Sequence, residues 1–394
     1  VLRRVLVVGA VAAAFGGTLA TPAVAATTIS LPALSGRYPV GTKDIQLVDP
    51  SRQDPWNPRQ QRELMVTVTY PARNGGERAP WMMPGVAGVI DTVTSGADYL
   101  GIPNGSVNWS ATRRQARTNA LPINKKWPVV LFSPGSASIR ELNATLTDDL
   151  ASHGYVVVSL SHTHESAVVE FPDGRLEYAA PNDGGAEATK KAIDARIADT
   201  RFVLDQLPKL GLPVDLGRIG VAGHSFGGYA AGEAMAVDRR IDAGANLDGA
   251  MTRGFPPSAG LPENAAKHGL DRPFLLFGAD SYDTGGRVEH SHRNPAFDPS
   301  WSRFWSHQRA WKRDLHLDRA AHYSFMDFQV IIPQLGSLIA PARKTAFIGQ
   351  IDPARSLAAQ HDYLAGFFDL WLKCRDRGLF WHDSPSHPDA HFVG

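Results

Sequence analysis

The stretch Ile219–Ala231, IGVAGHSFGGYAA, runs a short apolar segment straight into a glycine-rich turn with Ser225 at its centre. Ile219–Ala222 reads as a strand and Gly228–Ala236 as a helix, so G-x-S-x-G falls on a strand-to-helix turn. Side chains two positions before and after the serine would collide with the adjoining strand and helix, so Gly223 and Gly227 belong there. A serine in that turn is forced to positive φ at the C-terminal edge of a sheet. The helix behind it aims N–H groups and its positive dipole end at the same point. A plain glycine turn would need none of these flanks. The context predicts an exposed nucleophile.

Outward from this turn the rhythm is regular. Pro128–Phe132, Tyr155–Leu160, Ala243–Leu247 and Phe274–Gly278 are short, unbroken apolar runs. Between them lie helical patterns: Glu141–His153 with Leu142, Leu146 and Leu150 on one face, and Ile193–Leu207 with Ile193, Ile197 and Leu204 inward. Unbroken apolar strands separated by helices predict an α/β domain whose mostly parallel sheet is covered on both faces. Leu64–Tyr70 alternates as a half-buried strand, FPDGR holds an Asp-Gly hairpin turn, and Pro353–Arg375 is a last long helix. Residues 27–60 read as an irregular arm, 71–126 as an insertion of the lid or binding-loop kind, and the tail from Trp381 as loose. Residues 26–394 are expected to form a single domain.

The 394 residues carry a formal net charge of +1, so no field favours nucleic acid or an anionic membrane. The start, with Arg3 and Arg4, apolar Val5–Ala14 and small residues at Ala23-Val24-Ala25, has the layout of an export signal over residues 1–25. Its apolar core is too short and glycine-broken for a membrane span, so the expectation is a secreted chain without a transmembrane segment. Cys374 is the single cysteine and excludes an intrachain disulfide. It is read as a helix or surface residue.

Serine is a poor nucleophile at neutral pH and needs a base, which in turn needs a carboxylate to fix its tautomer. Ten histidines follow Ser225. His322, in DRAAHYSFMDF beyond the last strand-like segment, can swing over the serine, whereas His290 and His292 in VEHSHRN read as solvated. Two acids end strands at the right edge, Asp248 in ANLDGAM and Asp280 in LLFGADSYD, and pattern alone leaves both open. For an oxyanion the backbone N–H of Phe226 is one donor, and that of Ser136, in the SPGSAS loop after Pro128–Phe132, is the second. His162 and His164, two apart at a strand end, raise a metallohydrolase as the rival, but no further ligand run follows them. No cofactor and no metal are expected. An acyltransferase on the same residues stays open.

Taken together, GHSFGG, PVVLFSPGSAS…DLASHGYVVVSLSH, RIADTRFVLDQL, NLDGAM, HYSFMDF and the helix IDPARSLAAQHDYLAGFFDLWL resemble the platelet-activating factor acetylhydrolase family. The likeness covers roughly residues 60–375. It implies the α/β-hydrolase fold, Asp248 as the acid, His322 as the base and Ser136 as the second oxyanion donor. It also implies calcium-independent hydrolysis of short or oxidised acyl groups on phospholipids, with broader esterases, lipases and polyester hydrolases among bacterial relatives. Pro134-Gly135 stands where the family often has His-Gly. The apolar WMMPGVAGVI of the insertion is read either as contact with a lipid surface or as an outer helix packed on the sheet.

Overall fold

The computed structural model describes residues 26–283 and 286–394; residues 1–25, read above as an export signal, lie outside them. In chain order the strands of the central sheet are β1 (Val40–Gln53), β2 (Gln61–Pro71), β3 (Arg78–Pro80), β4 (Arg113–Thr118), β5 (Trp127–Ser133) and β6 (Val156–Ser161). They continue with β7 (Val214–His224), β8 (Ala243–Leu247), β9 (Phe274–Asp283), β10 (Gly286–Glu289), β11 (Lys312–Ala321) and β12 (Ala390–Phe392). These make one 12-stranded sheet in the order β12-β11-β9-β8-β7-β5-β6-β2-β1-β4-β3, with β10 paired to β9. Strands β6, β5, β7, β8, β9 and β11, in that spatial order, are mutually parallel. Antiparallel β2 and β1 flank one side and β12 the other. This is the α/β-hydrolase arrangement, with parallel strands at the centre and helices on both faces.

The unbroken apolar strands are explained by two cores, one on each face. Alternate residues point to opposite sides of a strand, so Val129 and Leu131 enter one core while Val130 and Phe132 enter the other. Helices α3 (Ala186–Gln206) and α4 (Phe226–Val237) close the first core with Val203, Leu204, Tyr229 and Ala234. Helices α2 (Ala144–Ser152) and α5 (Pro353–Lys373) close the second with Leu146, Leu150, Phe367 and Phe368.

Two expectations are corrected, and of the two readings of WMMPGVAGVI one is favoured. The supposed irregular arm contains β1, whose Ile45 and Leu47 pack on the first core while Asp44 and Gln46 face water. Its Pro50 is tolerated because β4 pairs only with Gly41 and Thr42, leaving the rest of β1 as an edge. The tail is ordered: Leu315–Leu317 pair with Ala390–Phe392, and the side chain of Phe380 is buried. In the insertion lies the first helix among the described residues, α1 (Pro84–Ser95), and Trp81, Met82, Val86 and Ile90 pack against Phe328, Ile331 and Phe347 in a third core. Those apolar side chains are therefore an internal packing surface and not a face open to lipid. No described helix is long and apolar enough to cross a membrane.

Candidate active site

Ser225 sits between β7 and α4 with φ 55° and ψ −123°, the strained conformation expected of the turn. The crowding that requires glycine is explicit. A Cβ on Gly223 would lie 2.2 Å from the carbonyl carbon of Gly227, and one on Gly227 would lie 1.9 Å from the oxygen of Ser133. The Ser225 N–H donates to the Leu247 carbonyl at 2.8 Å, tying the turn to β8. The side chain is half-buried, so it can be reached from solvent.

His322 opens a short 3-10 turn directly after β11. Its Nε2 lies 2.9 Å from Ser225 Oγ and its Nδ1 2.6 Å from Asp248 Oδ2. With Nδ1–H donating to the carboxylate, Nε2 is left to accept from the serine hydroxyl. Asp248 follows β8 at φ 58°, which turns its carboxylate back across the sheet edge, and its own N–H is held by Phe277 O at 2.9 Å. Of the two acids, Asp248 thus meets the histidine. Asp280 instead accepts from Arg319 N at 2.7 Å and faces His316.

The other oxygen of Asp248 has two donors, Ala279 N at 3.0 Å and His290 Nδ1 at 2.9 Å. His290 Nε2 in turn lies 2.9 Å from Asp298 Oδ2, and the ring packs on Trp301 at 4.0 Å between centroids. His290 is buried between two carboxylates, not solvated as the polar sequence around it indicated. His292 is also buried, bonded to Asp314 at 2.6 Å and stacked on Trp305. Burial alone would disfavour charge on His290, but Asp248 and Asp298 outweigh it and push its pKa up to about 10. Burial alone would likewise raise Asp248, yet His290 and then His322 hold it well below the usual carboxylate range. The relay is therefore Asp298–His290–Asp248–His322–Ser225, with a fixed imidazolium behind the acid.

His224 fills the space beside this relay. It is buried, its Nε2–H donates to the His322 carbonyl at 2.9 Å, and burial followed by the charge of His322 brings its pKa down to about 3. It stays neutral at any ordinary pH and fixes the backbone from which His322 projects.

The loop after β5 lies against the serine: a Cβ on Gly135 would be 3.4 Å from Ser225 Cβ. Arg196 of α3, fully buried, clamps this loop from beneath. Its guanidinium donates to Ser133 Oγ at 3.0 Å, to the Pro134 carbonyl, and to the Gly135 carbonyl at 3.0 Å, and it pairs with Glu165. Two of the loop's carbonyls are thereby turned inward. Ser136, next in the chain, is exposed, and Ala137 at φ 51° completes the turn. Phe226 supplies the first amide of α4, which has no intrahelical acceptor.

His162 and His164 have separate partners. Burial, then Arg196, lowers the pKa of His162, whose Nδ1 lies 2.9 Å from Asp199 and Nε2 2.9 Å from Ser133 Oγ. His164 pairs with Asp54 at 3.0 Å and Glu177 at 3.1 Å. The sequence reading named Ser225, Asp248 and His322, which the structure brings together. It missed His290 and Arg196. For His290 the one available signal was its place two residues from a second histidine in the loop after a strand; for Arg196 it was a charge three residues after Ile193, on the helix face that the apolar positions turn inward.

The sequence profile of platelet-activating factor acetylhydrolase, isoform II, matches residues 23–177. A probable 1-alkyl-2-acetylglycerophosphocholine esterase of Arthroderma benhamiae is 30% identical over 390 residues, spanning 92% of this chain and 93% of its own. The platelet-activating factor acetylhydrolase of Cavia porcellus is 22% identical over 289 residues, 64% of this chain and 61% of the other. Among solved structures, a ferulic acid esterase from Streptomyces cinnamoneus aligns with a TM-score of 0.76 at 35% identity, covering 93% of this chain and 99% of that one.

Proposed function

The chain belongs to the platelet-activating factor acetylhydrolase family and is a carboxylic ester hydrolase, and from that premise we propose that it cleaves short-chain or oxidised acyl esters of lipids through an acyl-enzyme on Ser225. The observation that carries the reading is the continuous relay from Asp248 through His322 to Ser225, at 2.6 Å and 2.9 Å.

In this reading Ser225 Oγ attacks the ester carbonyl while His322 Nε2 takes its proton. Asp248 stabilises the imidazolium that forms and does not itself take up a proton. The tetrahedral oxyanion accepts from the backbone N–H groups of Phe226 and Ser136, fixed donors that need no reorganisation during the reaction. His322 then protonates the departing alcohol. Water, activated by the same histidine, attacks the acyl-serine and releases the acid.

A second reading, an esterase for aromatic acyl groups, is favoured by the 35% identity to the ferulic acid esterase over almost the whole chain. Contact with a lipid surface would fall to exposed Tyr178, Phe255 and Leu261, which lie in the segments that follow β6 and β8.

The test is a kcat/KM series on purified enzyme over p-nitrophenyl acetate, butyrate and octanoate, methyl ferulate, and an sn-2 acetyl phospholipid offered as monomers and in vesicles. The acetyl phospholipid should rank first. Methyl ferulate in that place would transfer the assignment to the second reading, and equal rates on monomers and vesicles would remove the lipid surface. Ser225→Ala should cut turnover of every substrate by about 10⁴-fold or more while the far-UV circular dichroism is unchanged; retained turnover would refute the acyl-enzyme.

A further inference from the structure

One group of side chains outside the relay, among the described residues, has the donors of a metal site. Ligand atoms of Asp280 on β9 and of His316 and Asp318 on β11 all lie within 4.8 Å of one another. His316 Nε2 is 3.3 Å from Asp280 Oδ1 and 3.9 Å from Asp318 Oδ1. His316 is 1% exposed, and neither of its ring nitrogens makes a hydrogen bond of good geometry. A buried imidazole facing a carboxylate without a well-formed hydrogen bond is costly and calls for an explanation.

The surroundings supply one. The second oxygen of Asp280 is fixed by Arg319 N, which leaves Oδ1 directed at His316. Asp318 is 40% exposed and opens the group to solvent. Across the strand pair His391 of β12 stands opposite His316, with ring centroids 5.4 Å apart and its Nδ1 3.7 Å from Asp318 Oδ2. A side-chain rotation of His391 would add a fourth donor. The guanidinium of Arg287 on β10 lies 3.4 Å from Asp280 and 3.8 Å from Asp318, on a half-exposed side chain free to swing away.

We propose that Asp280, His316, Asp318 and His391 bind one divalent ion of the Zn²⁺ class, displacing Arg287. Two imidazole nitrogens and two carboxylate oxygens match the four-coordinate N/O preference of Zn²⁺. They fall short of the six to eight oxygens that Ca²⁺ takes. Such a site is closed and structural. It ties β9, β11 and the tail strand β12 together just before His322, and no step of ester cleavage passes through it.

The experiment uses the full chain, stripped with EDTA and dialysed, then titrated with ZnCl₂ by calorimetry and with CoCl₂ by visible absorption. One ion per chain should bind, with the d–d bands of four-coordinate Co²⁺, and saturating Zn²⁺ should raise the thermal midpoint by about 5 °C. Asp318→Asn and His391→Gln, both at partly exposed positions, should each weaken binding at least tenfold and abolish the Co²⁺ bands. Arg287→Ala should strengthen it. Zn²⁺ binding with equal affinity in wild type, Asp318→Asn and His391→Gln would overturn the proposal, as would no binding at all or an equal stabilisation by CaCl₂.

Discussion

His290 has both ring nitrogens committed to carboxylates, so the acid behind the base is itself half-compensated by a buried cation. Removing that cation with His290→Asn leaves Asp248 and Asp298 buried without their counter-charge, at a cost of about 3–5 kcal/mol. The linkage has a definite sign. A histidine whose folded pKa is raised from 6.5 to about 10 contributes stability that is complete below pH 6.5 and lost as pH climbs to about 10. The difference in thermal midpoint between wild type and His290→Asn should therefore narrow steadily from pH 6.5 to 10; a constant gap would refute the charged histidine. The kinetics carry a second signature. His322 would face an uncompensated carboxylate, so the acidic limb of the kcat/KM profile should move to higher pH, which a merely structural role would not produce. Ser225 and His322 were legible because a glycine pattern and a post-strand loop are local signals. Pattern alone did not choose between Asp248 and Asp280, because both come at the end of an apolar run; the family resemblance pointed to Asp248, which follows β8 at positive φ and turns toward His322, whereas Asp280 lies within β9. His290 was misread because its neighbours in the chain are polar while its neighbours in space are Trp301 and Phe297.

The loop after β5 shows how an element can be set by a residue far from it in sequence. Pro134-Gly135 has no hydrogen-bonding side chain of its own, so the orientation of its carbonyls comes from Arg196 on α3. With His162 held neutral by burial, the consistent assignment is Nδ1–H to Asp199 and Ser133 O–H to His162 Nε2, leaving Ser133 Oγ to accept from Arg196. A planar guanidinium with several fixed donors meets this demand and an ammonium does not. Arg196→Lys should keep one contact, leave Glu165 partly unpaired, and lower kcat about 10- to 100-fold with a smaller change in KM. If KM rose alone and kcat held, the loop's orientation would not depend on the arginine. The strands of the parallel centre were readable because two-sided burial writes itself as continuous apolar runs. Helix α1 was legible only as one of two readings, since PGVAGVIDTVTS combines two glycines with β-branched residues and has low intrinsic helix propensity. Packing of Val86 and Ile90 on the third core decides its state.

At the scale of the whole molecule, the sheet's parallel side ends on a strand contributed by the last residues of the chain. The segment HDSPSHPDAHFVG carries few apolar residues, so composition gave no reason to expect it ordered. It is held by contacts distant in sequence: β12 covers the outer edge of β11, His387 bonds Asp362 at 2.9 Å, and Asp389 pairs with Arg319 and Arg355. Without it, β11 would expose a row of unpaired backbone groups, Tyr363 and Phe380 would lose the ring of Phe392, and Arg319, three residues before His322, would lose its carboxylate. Deleting residues 383–394 should accordingly lower the thermal midpoint by about 5 °C or more and increase concentration-dependent aggregation. Because His322 leaves β11 at the end that β12 braces, the deletion should also reduce kcat on p-nitrophenyl acetate at 25 °C, well below the midpoint. A truncated chain with wild-type midpoint, solubility and turnover would mean that β11 holds its position through β9 alone, where seven residue pairs form the parallel ladder.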